Sequence, residues 1–343
     1  MGLRNQMNSK SSHRKSISLQ GGREEMSYLS VVVPSYNEQL MIGKAAQRII
    51  EVLEAANIEF ELIFVDDGSN DKTWNMIQMV SEADTRIKGV HFSRNFGKES
   101  AIIAGLAESF GDCCVVIDCD LQHPPEKIVE MYRLWEQGYE VVEGQKSSRG
   151  SERVSHSFAA EAFYKIISKA TGFDMVNASD FKMLDRKAVD VLINMHERNG
   201  FFRALSSWIG FETATVTFDV QEREVGESKW STWSLIKYAI NNISSFSTAP
   251  MQIVTILGII MFLVSVVLGL TSLIQKIMGV AQPGFTTVIL ILLFSSSIIM
   301  ISLGIIGFYI ARIYDEIKGR PKYIISRTCG DIKDKADGKE IVG

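Results

Sequence analysis

Short apolar runs alternate with amphipathic helical stretches from Tyr28 onward. Leu29 to Val33 is apolar except at Ser30, Pro34-Ser35-Tyr36-Asn37-Glu38 interrupts the run, and Ile42, Ala45, Ala46, Ile49, Ile50 and Leu53 then recur at helical spacing. The unit repeats as strand 60–65 before Asp66-Asp67-Gly68-Ser69, helix from Thr73, strand 89–92, helix 98–110, strand 113–117, helix 126–136 and strand 139–144. Strands separated by helices of this length predict right-handed crossovers and an α/β fold, Rossmann-like, with a mainly parallel sheet covered on both faces. In such a sheet the Pro34–Glu38, Asp66–Ser69 and Asp118-x-Asp120 segments all emerge at one edge, the carboxyl end of the strands where ligands bind.

Beyond Gly144 the pattern changes. Lys146, Arg149 and Arg153 stand among Ser147, Ser148, Gly150 and Ser151, and a flexible basic loop beside an acidic crevice suits an anionic substrate. Two apolar stripes follow, one on Val154, Phe158, Ala162, Phe163, Ile166, Ile167 and Ala170, the other on Phe201, Phe202, Leu205, Trp208 and Ile209. Their spacing fits a core face or a membrane-surface helix equally well.

No charged residue lies between Lys237 and Lys276 or between Lys276 and Arg312. Each interval exceeds the ~20 apolar residues that cross a bilayer, which predicts spans at 253–274 and 285–310 joined at Pro283-Gly284. Lys229, Lys237, Arg312, Lys318, Arg320 and Lys322 flank the outer ends of this hairpin against Lys276 alone in its linker, so the catalytic domain and both termini are expected in the cytoplasm, at the cell (inner) membrane. Trp230, Trp233, Tyr238 and Phe246 suggest a helix at the headgroup level. The expected organisation is a disordered tail at 1–27, a catalytic domain at 28–228, an interfacial helix at 229–250, two transmembrane helices at 251–312 and a cytoplasmic tail at 313–343.

Composition adds little to this. A net charge of −4 over 343 residues argues against nucleic acid as a partner. The four cysteines have neither metal spacing nor a disulfide framework, which suits reduced thiols. Residues 1–27 are polar, with Arg4, Lys10, Arg14, Lys15 and Arg23 and no apolar run, and read as a tail rather than a signal peptide.

The chemistry resides in the crevice. An Asp-x-Asp at a strand end can hold Mg²⁺ or Mn²⁺, hard cations that take oxygen ligands and keep substrate phosphates in their shell. Asn37, Glu38, Asp66 and Asp67 carry acceptors suited to ribose hydroxyls and a base edge, while Arg94, Lys98, Arg223 and Lys229 can pair with phosphates. Together they describe a nucleotide-sugar site.

The ordered series Pro34-Ser35-Tyr36-Asn37-Glu38, Val65-Asp66-Asp67-Gly68-Ser69, Arg94-Asn95-Phe96-Gly97-Lys98-Glu99, Asp118-x-Asp120-Leu121-Gln122-His123-Pro124-Pro125-Glu126, Ser179-Asp180-Phe181-Lys182 and Glu224-x-Gly226-Glu227-Ser228-Lys229 resembles the motifs of family-two, GT-A fold glycosyltransferases acting on polyprenyl phosphate. It is similar to dolichol-phosphate mannose synthases and, with the two-span hairpin, closer to bactoprenol glucosyltransferases. The resemblance implies that Asp118, Asp120 and Gln122 bind the metal, that Pro34, Tyr36, Glu38, Asp66 and Asp67 surround the nucleoside, and that transfer inverts the anomeric carbon to give a β-linked product. Lys182 stands where the family commonly has Arg, and Lys146-Ser-Ser-Arg149 replaces a clearer double-Arg loop. Lys146, Arg149, Lys182, Arg203, Arg223, Ser228 and Lys229 form the expected acceptor-phosphate set, and Asp120 and Asp180 the catalytic pair, with Asp180 acting as base, contacting the acceptor, or holding a cation or sugar hydroxyl.

The implied partners are a nucleotide sugar, polyprenyl phosphate and the bilayer, with a homo-oligomer left open. UDP-glucose is the donor the resemblance favours, ahead of UDP-N-acetylglucosamine, UDP-galactose or GDP-mannose. A processive polysaccharide synthase is the nearest rival, but Arg203-Ala-Leu-Ser-Ser-Trp208 does not fit the Gln-x-x-Arg-Trp motif of such enzymes. A non-catalytic membrane scaffold would have no use for intact acids at Asp66, Asp67, Asp118 and Asp120.

Overall fold

The alternating pattern becomes the elements it predicts. The computed structural model describes residues 27–146, 179–195, 202–219, 249–279 and 284–331. It begins with β1 (Tyr28–Ser35), α1 (Ile42–Ala55), β2 (Glu59–Asp66), α2 (Thr73–Ala83), β3 (Ile87–Phe92), α3 (Lys98–Glu108), β4 (Cys113–Val116), α4 (Glu126–Glu136) and β5 (Val141–Lys146). Val31, Val32 and Val33 are all fully buried, yet they serve different faces. Val31 and Val33 join Ile42, Ile49 and Leu53 of α1 in one core, whereas Val32 joins Ile102 and Leu106 of α3 in another. A strand covered on both sides reads as a continuous apolar run for this reason.

The sheet is completed by β6 (Lys182–Asp185), β7 (Thr213–Phe218) and β8 (Ile325–Cys329), with α5 (Arg186–Ile193) and α6 (Phe202–Trp208) between β6 and β7. Its order is β7-β5-β6-β4-β1-β2-β3-β8. Strands β4, β1, β2 and β3 pair in parallel, and β5 pairs in parallel with β7. Among the described strands only β6 and β8 run against the rest, so the sheet is mixed but mostly parallel, in a GT-A-like α/β arrangement.

Three features depart from the sequence pattern. Strand β6, four residues long, is too short to show a period. The segment around Phe202 is core rather than membrane surface on its inner side, since Phe202 and Leu205 are buried while Trp208 remains 58% exposed. Most consequential, β8 falls in what reads as a cytoplasmic tail, yet it pairs antiparallel with β3 along Gly89↔Cys329, Val90↔Thr328 and His91↔Arg327. It therefore covers the open edge of β3, which would otherwise present unpaired backbone groups.

Between β7 and β8 lie α7 (Ala249–Ile277) and α8 (Phe285–Ile317), both longer than the spans predicted. Windows at Val254–Ile277 and Phe294–Ile317 have mean hydropathy 2.6 and 1.9 and bury none of their residues in protein. Phe262, Leu263 and Phe294 stand at least 57% exposed. Apolar helices left this bare need a non-aqueous surround, and 29 residues at a rise of ~1.5 Å each reach across a bilayer. The stripe at 154–170 and most of the expected interfacial helix lie outside the described residues.

Candidate active site

The crevice is built first from turns that tie one another together. Strands β1 and β2 end in register, with Ser35 opposite Asp66, and Asp67 N donates to Ser35 O at 3.0 Å. Asn37 adopts φ 57°, a left-handed conformation that Asn tolerates. Its backbone N donates to Ser69 Oγ at 2.8 Å and its Oδ1 accepts from Asn70 N at 3.0 Å, so its side chain staples the two turns. Asp66 is fully buried, accepts from Ser69 N at 3.0 Å and meets His91 Nδ1 at 2.8 Å. Asn37 and Asp66, expected at the nucleoside, are thus engaged with neighbouring turns and strands and are not among the residues that line the cleft.

Asp67 faces the cleft and holds its opposite wall. Its carboxylate accepts from Phe96 N at 2.6 Å and from Gly97 N at 2.9 Å. Burial raises the Asp67 pKa, opposed by these two N–H groups. Gly68 makes the close approach workable, because at φ 66° an added Cβ would sit 2.7 Å from Arg94 O and from Asn95 N. Arg94 itself stacks its guanidinium 4.2 Å over the Phe96 ring, on the outer side of this loop.

Between these walls lies a cleft of about 370 Å³ whose lining includes Pro34, Tyr36, Glu38, Asp67, Lys98, Asp118 and Asp120. Seven of the residues singled out in the sequence therefore meet in one place. Asn95, Gly97 and Cys119 also line it; the signal for them was their position inside the quoted motifs.

The floor is a chain of charges. Lys98, at the start of α3, places Nζ 2.6 Å from Asp118 Oδ1 and 2.7 Å from Asp180 Oδ2. Arg203, on α6, forks onto Asp180 with Nε to Oδ1 at 2.6 Å and Nη2 to Oδ2 at 2.9 Å. Burial of the Asp180 carboxyl, 4% exposed, would raise its pKa, but Lys98 and Arg203 together hold it well below the usual carboxylate range. Asp118 is lowered in the same way, burial being outweighed by Lys98, and the Lys98 pKa is raised against its burial by Asp118 and Asp180. Glu99 adds a further strut by accepting from Phe202 N at 2.8 Å, which fixes the start of α6. Burial and the neighbouring Asp180 carboxylate push its pKa up.

The depressed pKa of Asp180 weighs against its acting as a base. A group that must take a proton works best with a pKa near the operating pH, and this one is displaced in the other direction. Its geometry is that of an anchor for two cations.

Lys182 departs most from expectation. Its side chain is fully buried behind the floor, with Nζ 2.5 Å from Glu143 Oε1 and 2.8 Å from Ser206 Oγ. Burial lowers its pKa. It pins α6, which carries Arg203, and does not reach the cleft as the acceptor-phosphate clamp anticipated for it. Lys146 ends β5, while Arg149, Arg223, Ser228 and Lys229 lie outside the described residues.

The donor set suits a hard divalent cation. Asp118 and Asp120 present carboxylate oxygens to the cleft, and Gln122 N donates to Asp120 Oδ1 at 3.1 Å, which folds the Asp118–Gln122 turn back on itself. Leu121 takes φ 56° at the turn's apex. Among the described residues no group of three His, Cys, Asp or Glu forms a metal cluster, and an Mg²⁺ ion commonly takes one or two carboxylates and completes its shell with water and substrate oxygens. His123 was not anticipated. It is 6% exposed, stacks on Phe181 at 5.2 Å, and holds Nδ1 3.9 Å from Asp118 Oδ2 without a hydrogen bond. Burial lowers its pKa, so a neutral ring packs against the Asp118 carboxylate.

Known proteins resemble this chain over most of its length. The family described as "Glycosyl transferase family 2" matches residues 30–193. An uncharacterised glycosyltransferase of Synechocystis sp. is 38% identical over 304 residues, covering 88% of this chain and 96% of that one. A prophage bactoprenol glucosyl transferase homolog of Escherichia coli is 36% identical (88% and 99% covered), and the SfII prophage-derived bactoprenol glucosyl transferase of Shigella flexneri is 35% identical (88% and 98%). Among solved structures, glucosyl-3-phosphoglycerate synthase of Mycobacterium tuberculosis superposes loosely, at 21% identity and TM-score 0.42, over 64% of this chain and 79% of that one.

Proposed function

The chain belongs to glycosyl transferase family 2, and from that premise we propose that it transfers one sugar, glucose from UDP-glucose, to polyprenyl (undecaprenyl) phosphate at the cytoplasmic face of the cell membrane. The products are UDP and a β-linked polyprenyl-phosphate sugar for cell-surface glycan modification. The observation that carries this reading is one cleft lined by Asp118, Asp120 and Lys98, with the Asp180–Arg203 pair bonded to Lys98 behind it, on a domain continuous with two helices apolar enough to span a bilayer. Similarity to proteins named bactoprenol glucosyl transferases, over nearly their full length, supports the lipid acceptor and the sugar.

In this mechanism Pro34, Tyr36, Glu38 and Asp67 receive the nucleoside, while Asp118, Asp120 and Gln122 would hold Mg²⁺ or Mn²⁺. When bound, such a cation would supply charge neutralisation at the leaving diphosphate. Lys98 adds a fixed ammonium on the same floor. A phosphate monoester has a second pKa of about 6, so the acceptor is largely dianionic at neutral pH and needs aiming more than deprotonation. Arg203, oriented by Asp180, aims it together with Lys146, Arg149, Arg223, Ser228 and Lys229. An acceptor phosphate oxygen then forms the bond to the anomeric carbon as the bond to the diphosphate breaks on the opposite face.

The placement of β8 supports the expected topology. The chain leaves α8 and rejoins the catalytic sheet within a few residues, so the end of α8 and the catalytic domain share one side of the membrane. Release of nucleotide from UDP-glucose, UDP-N-acetylglucosamine, UDP-galactose and GDP-mannose, each with and without undecaprenyl phosphate, tests the reading. Acceptor-dependent release from UDP-glucose is expected; acceptor-independent release from every donor contradicts it.

A further inference from the structure

The loop Ser93–Gly97 forms one wall of the cleft, contributing Asn95 and Gly97 to its lining and leading directly into Lys98. On its inner side it is held by Asp67 through Phe96 N and Gly97 N. On its outer side it is held by the segment that follows the second membrane helix. Ser93 N donates to Ile324 O at 3.0 Å. Tyr323, 8% exposed, lays its ring on Phe92 with centroids 5.2 Å apart and planes 11° from parallel. Phe92 in turn meets Phe96 edge-on at 5.7 Å. Lys322 Nζ donates to Met195 O just past the end of α5, and the β3–β8 register shifts between His91 and Phe92, where the loop departs.

We propose that the post-membrane segment is a working part of the donor site, with Tyr323 a positioning residue that sets the Ser93–Gly97 wall through Phe92 and Phe96. The inference rests on the reading of the cleft as a nucleotide-sugar site. Physically, the loop is gripped between a carboxylate and an aromatic stack, and only residues 318–322 separate that stack from α8. Removing the outer grip leaves Phe92 with a void where Tyr323 packed and lets the Phe96 side of the loop relax away from Asp67. The predicted loss falls on donor affinity, because this wall belongs to the donor half of the cleft.

The test is calorimetric binding of UDP-glucose with Mn²⁺ to the full chain in nanodiscs. Tyr323→Ala is expected to raise the donor Kd about tenfold, the scale of a modest misplacement of a binding wall, and Tyr323→Phe, which keeps the stack, restores it. Phe96→Ala cuts the other end of the relay, and a double variant no worse than Tyr323→Ala alone shows that both act on one pathway. Leu53→Ala, a core truncation on α1 remote from the loop, matches the stability loss and is expected to leave donor Kd unchanged. Wild-type donor binding with an unaltered Kd in Tyr323→Ala and Phe96→Ala overturns the proposal, as does an equal rise in Leu53→Ala. Failure of the wild type to bind any nucleotide sugar overturns the donor reading instead.

Discussion

Replacing Asp180 with Asn keeps the side chain's size and removes the charge shared by two cations. Three charge-assisted contacts are affected, at 2.6 and 2.9 Å to Arg203 and 2.7 Å to Lys98. An amide offers one acceptor oxygen, so at least one guanidinium or ammonium N–H then faces an NH₂ group. Breaking a buried pair costs about 3–5 kcal/mol. Lys98 is 40% exposed, keeps Asp118 as a partner and is partly screened by water, which lowers the expected loss to about 2–4 kcal/mol. For a domain of this size that shifts the unfolding midpoint by roughly 5–15 °C. The pH dependence has a definite sign. Because the Asp180 pKa is depressed in the folded state, its stabilisation is present above the unfolded carboxylate pKa of about 3.9 and fades only as pH falls below it. Asp180 itself therefore adds no pH dependence between pH 6 and 8, but its charge helps push the Glu99 pKa up to about 7, so the gap between wild type and Asp180→Asn is expected to narrow as pH rises from 6 to about 7. Thermal unfolding of both proteins across that range, with transfer rates beside it, is the assay. The rate is expected to fall at every pH without a shift in the profile. A variant with unchanged stability, or one in which the acid limb of the profile disappears, refutes the anchoring role and restores the base.

Other outcomes follow from the same geometry. Asp118→Ala and Asp120→Ala should each abolish transfer and weaken Mn²⁺ binding, read by the electron paramagnetic resonance of free Mn²⁺; near-normal turnover in either sinks the metal assignment. Gly68→Ala forces a side chain into a left-handed turn at a cost of about 1–2 kcal/mol and drives its Cβ against the Arg94–Asn95 backbone. Donor KM should rise severalfold with less change in acceptor KM, and equal changes in both would contradict the placement of this turn at the donor. Truncation after Ala249 removes β8 with the hairpin, so donor binding should fall along with lipid-linked transfer. Excising only 249–317 and rejoining the strand by a flexible linker should preserve donor binding, whereas its loss there would mean that the helices themselves support the cleft.

Much of this was legible in the chain because both-face burial writes itself as apolar runs. Residues 29–33, 60–65 and 113–117 announced their strands, and the acids behind them announced a cleft. The roles within the cleft were less legible, since they depend on partners far apart in sequence. Nothing near Asp180 indicates that Arg203 and Lys98 close on it, and nothing near Lys182 indicates that Glu143 and Ser206 draw it inward. Asp66 and Asp67 are adjacent and chemically alike, yet strand alternation sends one into the wall and the other to the cleft. The β8 strand was hidden for another reason: Ile325-Ser326-Arg327-Thr328-Cys329 is an edge strand with a polar outer row, and such a sequence looks like tail until its partner is known.

The central claim is sugar transfer to a lipid phosphate, and the mass of the lipid product tests it most directly. Purified full-length protein incubated with UDP-glucose, Mg²⁺ or Mn²⁺ and undecaprenyl phosphate should convert the lipid to a species heavier by one hexose, with Asp118→Ala leaving it unchanged. Recovery of unmodified lipid from every donor in the panel, or of a lipid carrying a sugar polymer, would contradict the account.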